Sequence, residues 1–140
     1  MVYVDTSVLV ALLTVEPKTK EVMAWYAGLR ELPYCADWLL TEFSSAISIK
    51  LRTKQLTEAH AKLVRKEFNL LVTGGIRLVP VSRAAFKQAA DMVKPHRFGL
   101  RAGDSLHLAV ALELGVSHIA TLDSTLANNA ERKGLKLIVL

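Results

Sequence analysis

The chain has 140 residues, of which 51% are apolar and 22% charged, with a formal net charge of +5. That length points to one domain, residues 1–140, able to bury a real core, and the apolar share excludes a disordered chain. No apolar run approaches the roughly 18 residues a membrane span needs, and the single cysteine, Cys35, excludes an internal disulfide and a cysteine cluster for zinc.

Taken in chain order, Val2-Tyr3-Val4 is short, apolar and β-branched, and reads as a buried strand ending at Asp5. Thr6 or Ser7 is the expected cap of a helix through Val8, Leu9, Leu12 and Leu13, closed by Pro17. Because Asp5 interrupts this apolar start and no basic region precedes it, the segment reads as strand and helix, not as a signal peptide. A reducing cytoplasm is the expected compartment. A second helix is expected from Thr19 to about Leu29, then a strand from Pro33 to Ala36. Asp37 is the expected cap of a helix through Lys50.

Thr57 caps the next predicted helix, which ends at Gly74-Gly75. Ile76 to Val81 reads as a strand, and Ser82 as the cap of a helix ending near Pro95. His96 to Gly103 is expected to be a loop and Asp104 to Leu114 an apolar helix stopped by Gly115. His118 to Leu122 reads as a strand, Ser124 to Lys133 as a helix stopped by Gly134, and Leu135 to Leu140 as a last strand. Strands alternating with helices at this spacing predict an α/β fold, a three-layer α/β/α sandwich around a mainly parallel sheet.

Ligands of parallel sheets sit at the carboxyl ends of the strands. Asp5 and Asp123 directly follow predicted strands. Each has a structural alternative, since Asp is a favoured helix N-cap; Thr6, Ser7 and Ser124 can cap instead and free both carboxylates. Glu42 falls at helical spacing within the apolar face of Trp38, Leu39, Phe43, Ala46 and Ile49. Burying a bare carboxylate costs several kcal/mol without a cation or strong donors. A salt bridge is the structural alternative, but no basic residue shares that face until Lys50. Asp104 opens a helix that is apolar almost all round, where the helix dipole alone could explain it. Together these four carboxylates make a hard-oxygen set suited to Mg²⁺ or Mn²⁺. Such an ion turns water into a nucleophile and stabilises charge on a phosphodiester.

Val4-Asp5-Thr6-Ser7-Val8-Leu9, Glu42 within its helix, Asp104-Ser105-Leu106-His107-Leu108-Ala109 and Thr121-Leu122-Asp123 resemble the PIN-domain nucleases. More narrowly, the chain is similar to the VapC-type toxins of toxin–antitoxin pairs. The resemblance runs from the first strand to the last. It implies Mg²⁺- or Mn²⁺-dependent endoribonuclease activity, with RNA as substrate, a homodimer, and silencing by a VapB-type antitoxin. Asp5, Glu42 and Asp104 match the family's most characteristic metal-binding acids, and Asp123 matches a more variable fourth. Thr6, Ser7 and Thr121 match polar positions beside the metal.

The four histidines show no metal-ligand spacing; His107 is expected to pack or hydrogen-bond near the site. Arg101 is expected to hold a phosphate or pair with a carboxylate. Two basic stretches stand out, one from Lys50 to Lys66 and one comprising Lys94, Arg97 and Arg101. Either is a solvated face or an RNA guide. Trp25 and Tyr26 belong to the core or to an interface. A non-catalytic PIN-like binding module is the alternative function. A haloacid-dehalogenase-type phosphatase is disfavoured because Ser7 stands where that class has a second Asp. No Gly-rich loop follows the first strand, as a dinucleotide site would need.

Overall fold

The computed structural model describes residues 1–140. Its sheet contains β1 (Val2–Val4), β2 (Tyr34–Ala36), β3 (Arg77–Val79), β4 (His118–Ala120) and β5 (Lys136–Leu137) in the order β3-β2-β1-β4-β5. Every pairing is parallel, with Tyr3 opposite Tyr34 on one side and Ile119 on the other. The helices are α1 (Thr6–Leu13), α2 (Thr19–Ala27), α3 (Trp38–Arg52), α4 (Glu58–Leu70), α5 (Arg83–Val93), α6 (Ala102–Leu114) and α7 (Ser124–Arg132). None is long and apolar enough to cross a membrane.

Alternation along the strands builds the two cores of an α/β/α sandwich. Tyr3, Ala36 and Ile119 point to one face, where they meet Ala89 of α5, Leu108 of α6 and Leu126 of α7. Val4, Cys35 and Ala120 point to the other, towards Leu9 of α1, Val22 of α2, Phe43 of α3 and Val64 of α4. The Phe43 and Phe68 rings stack at 3.9 Å and 3°, clamping α3 to α4. Trp25 packs at the edge of that core, and Tyr26 donates to the Gly75 carbonyl at 2.7 Å, so this pair serves the fold.

Several boundaries differ from the sequence expectation. Residues Leu71–Gly75 form a π-helical turn that carries α4 into β3. The loop before α6 holds a 3₁₀ turn at His96–Phe98, and α6 begins at Ala102, two residues before Asp104. β1 matches its expected bounds, while the other four strands are shorter than the apolar runs that signalled them, because only two or three residues of each are in ladder pairing. Asp5 and Asp123 are themselves the N-caps of α1 and α7, accepting from Val8 N and Leu126 N; Thr6, Ser7 and Ser124 do not take that role. Asp37 stands at the N-cap of α3 without capping it, and its Oδ1 accepts from Val81 N instead.

Candidate active site

β1 lies at the centre of the sheet, so the chain leaving it opens onto the crevice between the two layers of helices. The Asp5 amide donates to the Ala120 carbonyl at 3.1 Å, extending the β1–β4 ladder by one residue and pinning Asp5 at the strand end. Asp123 occupies the matching place after β4. Glu42 arrives from α3 and Asp104 from the first turn of α6. These four carboxylates line one cavity of about 800 Å³, together with Thr6, Ser7 and Arg101. Thr121 reaches the same centre by donating to Asp5 Oδ2 at 2.7 Å. Ser124 is exposed and lies outside the cavity, so the structure does not bring it to the site.

The deep face of α3 is Leu39, Phe43, Ile47 and Lys50, while Ile49 is 45% exposed. Glu42 therefore stands on the flank of the helix facing the cavity, not in the middle of its buried stripe. Lys50 is buried, but its ammonium pairs with Glu16 at 2.5 Å. The salt bridge that offered a structural account of Glu42 is thus spent elsewhere.

Hydrogen-bond donors from α1 and α6 hold Glu42 instead. Thr6 Oγ1 donates to Glu42 Oε1 at 2.6 Å, and His107 Nε2 approaches the same oxygen at 2.5 Å. Behind His107, Nδ1 lies 2.7 Å from Tyr3 Oη, which accepts from the Ala36 amide at 2.9 Å. One hydrogen assignment satisfies the row: Ala36 N–H donates to Tyr3 Oη, the tyrosine donates to Nδ1, and Nε2–H donates to Glu42. Burial raises the Glu42 carboxyl, but His107, Thr6 and the adjacent Trp38 outweigh it and hold it below the usual carboxylate range. The Trp38 indole N–H finds no hydrogen-bond partner of its own.

Tyr3 and Trp38 are the participants that sequence reasoning missed, having been assigned to strand and apolar face. The available signal was a buried tyrosine, whose hydroxyl must find a partner, two residues from a strand-end Asp. Gly103 is the second such feature. A Cβ there would stand 2.8 Å from Glu42 Oε2 and 3.0 Å from Trp38 Nε1. Gly103→Ala should leave folding intact, since alanine favours the helix by up to about 1 kcal/mol. It should displace Glu42 and weaken Mn²⁺ binding about tenfold. A Mn²⁺ titration followed by electron paramagnetic resonance checks this, and unchanged affinity would show that the glycine is not a spacer for Glu42.

Asp5 is 2% exposed. Its Oδ1 accepts from Ser7 Oγ at 2.6 Å and Val8 N at 3.3 Å. Ser7 Oγ in turn accepts from Leu122 N at 3.0 Å, tying α1 to the chain leaving β4. Burial still wins, and pushes the Asp5 carboxyl up. Asp104 is raised as well, first by burial and then by the charges of Asp123, Asp5 and Glu42, with Arg101 partly opposing. The Arg101 guanidinium spans Asp123 Oδ2 at 3.1 Å and Asp104 Oδ2 at 3.5 Å. Its side chain is 75% exposed, so these pairs hold it weakly, at about 0–1 kcal/mol.

No three His, Cys, Asp or Glu side chains are gathered closely enough to hold a metal ion as they stand. The chemistry of the donors nevertheless fits a hard divalent cation: all are carboxylate oxygens, and their mutual repulsion is what such an ion relieves.

A protein-family model, the PIN domain, matches residues 2–132. No curated protein sequence matches significantly. Solved structures do. FitAcB from Neisseria gonorrhoeae is 17% identical with a TM-score of 0.75, the match covering 99% of this chain and 97% of that one. VapC20 from Mycobacterium tuberculosis, a toxin that cleaves the sarcin-ricin loop, is 16% identical with a TM-score of 0.74, covering 91% and 94%. VapBC2 from Rickettsia felis, bound to a DNA fragment from its promoter, is 10% identical with a TM-score of 0.67, covering 99% and 98%.

Proposed function

The chain belongs to the PIN-domain family, and on that premise we propose that it is a metal-dependent endoribonuclease acting as the toxin of a VapBC-type toxin–antitoxin pair. The observation that carries this reading is the convergence of Asp5, Glu42, Asp104 and Asp123 on one open cavity, where no buried lysine or arginine pairs with them.

Asp5, Glu42 and Asp104, with help from Asp123, would hold Mg²⁺ or Mn²⁺. When bound, the ion supplies Lewis acidity towards water and towards the phosphodiester that is hydrolysed. The chain's own residues prepare for it. Ser7 and Thr121 orient the two oxygens of Asp5. Thr6 and His107 keep Glu42 ionised and fix its rotamer. Arg101, weakly held and mobile in reach, can leave its carboxylates for a phosphate oxygen, which its planar fork matches.

FitAcB, FitAB bound to IR36 DNA and VapBC2 bound to promoter DNA carry the same fold, which supports a cognate antitoxin as partner here; the homodimer is proposed from the family resemblance alone. A non-catalytic RNA- or protein-binding module is the second reading, favoured by the absence of a ready-gathered ligand set. Purified, antitoxin-free protein incubated with total RNA and Mn²⁺ or Mg²⁺ separates the two. Cleavage that EDTA suppresses is expected. RNA left intact by folded, metal-loaded protein would favour the binding module.

A further inference from the structure

We infer that the strand of RNA leaves the carboxylate cavity along the ridge formed by residues 96–101 and α7, with Arg97 and Arg132 gripping its phosphates; this rests on the nuclease reading above. Arg97 and Arg132 come from separate elements, yet both guanidiniums stack on the Phe98 ring, with Cζ 4.4 Å and 3.2 Å from its centroid. Both side chains belong to exposed residues, and neither is in an ion pair. Two like charges are therefore held against one ring with no carboxylate in salt-bridge reach of either; Asp91, which lines the same pocket as Phe98 and Arg132, pairs with Lys94 instead. A guanidinium held over a ring by its cation–π attraction still has outward N–H donors, the groups that bind phosphate in a fork.

The ridge leads to the cavity. Asn129 Nδ2 donates to the Phe98 carbonyl at 3.0 Å, the position for a Cβ on Gly99 lies 3.7 Å from Thr125, and Arg101 reaches Asp123. The loop thus runs beside α7 from its last turn back to its N-cap. Gly99 makes this turn possible, with φ at +63°. Arg101 stands at the cavity end, and Arg97, Arg132 and Lys133 at the far end, about 13 Å away along α7. Lys94 stands at the same end, and its exposed pair with Asp91 at 2.7 Å holds it weakly.

Arg132 alone has a simpler account, because a cation in the last turn complements the helix dipole. That account does not bring Arg97 onto the same ring. The rival basic stretch is weaker: Lys50 is paired internally and Arg52 donates to Ser48, while Arg65 lines a separate shallow pocket with Phe43 and Phe68.

The test is fluorescence anisotropy of a labelled, mixed-sequence single-stranded RNA in EDTA, where cleavage is off, across a salt series. Arg97→Gln/Arg132→Gln should bind about tenfold more weakly, with the slope of log K against log salt shallower by about 1.4, at roughly 0.7 per lost phosphate contact. Phe98→Leu, which keeps both charges but removes the platform, should weaken binding with less change in slope. Arg65→Gln/Lys66→Gln should bind like wild type. Equal binding and slope for wild type and the Arg97/Arg132 variant would overturn the ridge, as would a wild type with no affinity for RNA. Metal-dependent cleavage in the parallel assay tells either result apart from failure of the nuclease reading, and altered antitoxin affinity with unchanged RNA binding would reassign the ridge to a protein partner.

Discussion

Asp104→Asn is expected to lower RNA cleavage on the order of 10³-fold while leaving the metal-free protein as stable as wild type or more so. The carboxylate is a proposed ligand, and an amide cannot supply the anionic oxygen that a hard cation requires. Stability moves the other way because Asp104 and Asp5 are both raised by folding, chiefly through burial. A raised carboxyl keeps its proton longer in the native state than in the unfolded chain. Stability therefore falls as pH climbs from about 4 through the raised values, and stays lower above them. Glu42 runs opposite: held low by His107 and Thr6 against its burial, it contributes stability above the ordinary carboxylate range and loses it as pH falls through its folded value. The Glu42 contribution is complete once pH passes the ordinary carboxylate range, so from there upward, through the raised values of Asp5 and Asp104, wild type in EDTA should lose stability. Asp104→Asn should flatten that loss, and Mn²⁺ should restore stability to wild type more than to the variant. Thermal melts across pH, with and without metal, read all three effects. A variant that melts well below wild type in EDTA would mark Asp104 as structural.

The largest effect on folding itself is expected from Phe43→Ala, at about 3–5 kcal/mol. Phe43 is 1% exposed, stacks on Phe68, and directly follows Glu42. Its removal leaves a cavity between α3 and α4 beside the Phe68 ring. Since a domain of this size is stable by about 5–15 kcal/mol, one substitution removes a large share. Urea unfolding should show a lower midpoint with an unchanged slope. A loss under about 1 kcal/mol would mean the helices close over the gap.

Much of this architecture was legible in the residues. Short apolar runs followed by helical spacing gave the layers, and caps such as Thr57 and Ser82 act where composition placed them. Strand ends marked Asp5 and Asp123 because parallel topology forces ligands to that edge. Legibility failed where one residue satisfies two demands. Asp5 and Asp123 each cap a helix with one oxygen and face the cavity with the other, so weighing cap against site posed a false choice. It also failed where the partner is remote. His107 is 104 residues from Tyr3 and 65 from Glu42, and no local pattern encodes their meeting. The Arg97–Phe98–Arg132 cluster is of the same kind, since Arg132 reaches the Phe98 ring from a separate helix.

The row from Ala36 through Tyr3 and His107 means that Glu42 takes its alignment from the middle of the sheet and not from the outer surface of its own helix. Exposed α3 positions such as Leu40 and Ser44, which lie outside the carboxylate cavity, are thereby relieved of any duty to the reactive end. They are free to diversify as partners change, while Tyr3 and His107, neither of them acidic, are the positions where drift would be felt at the carboxylates.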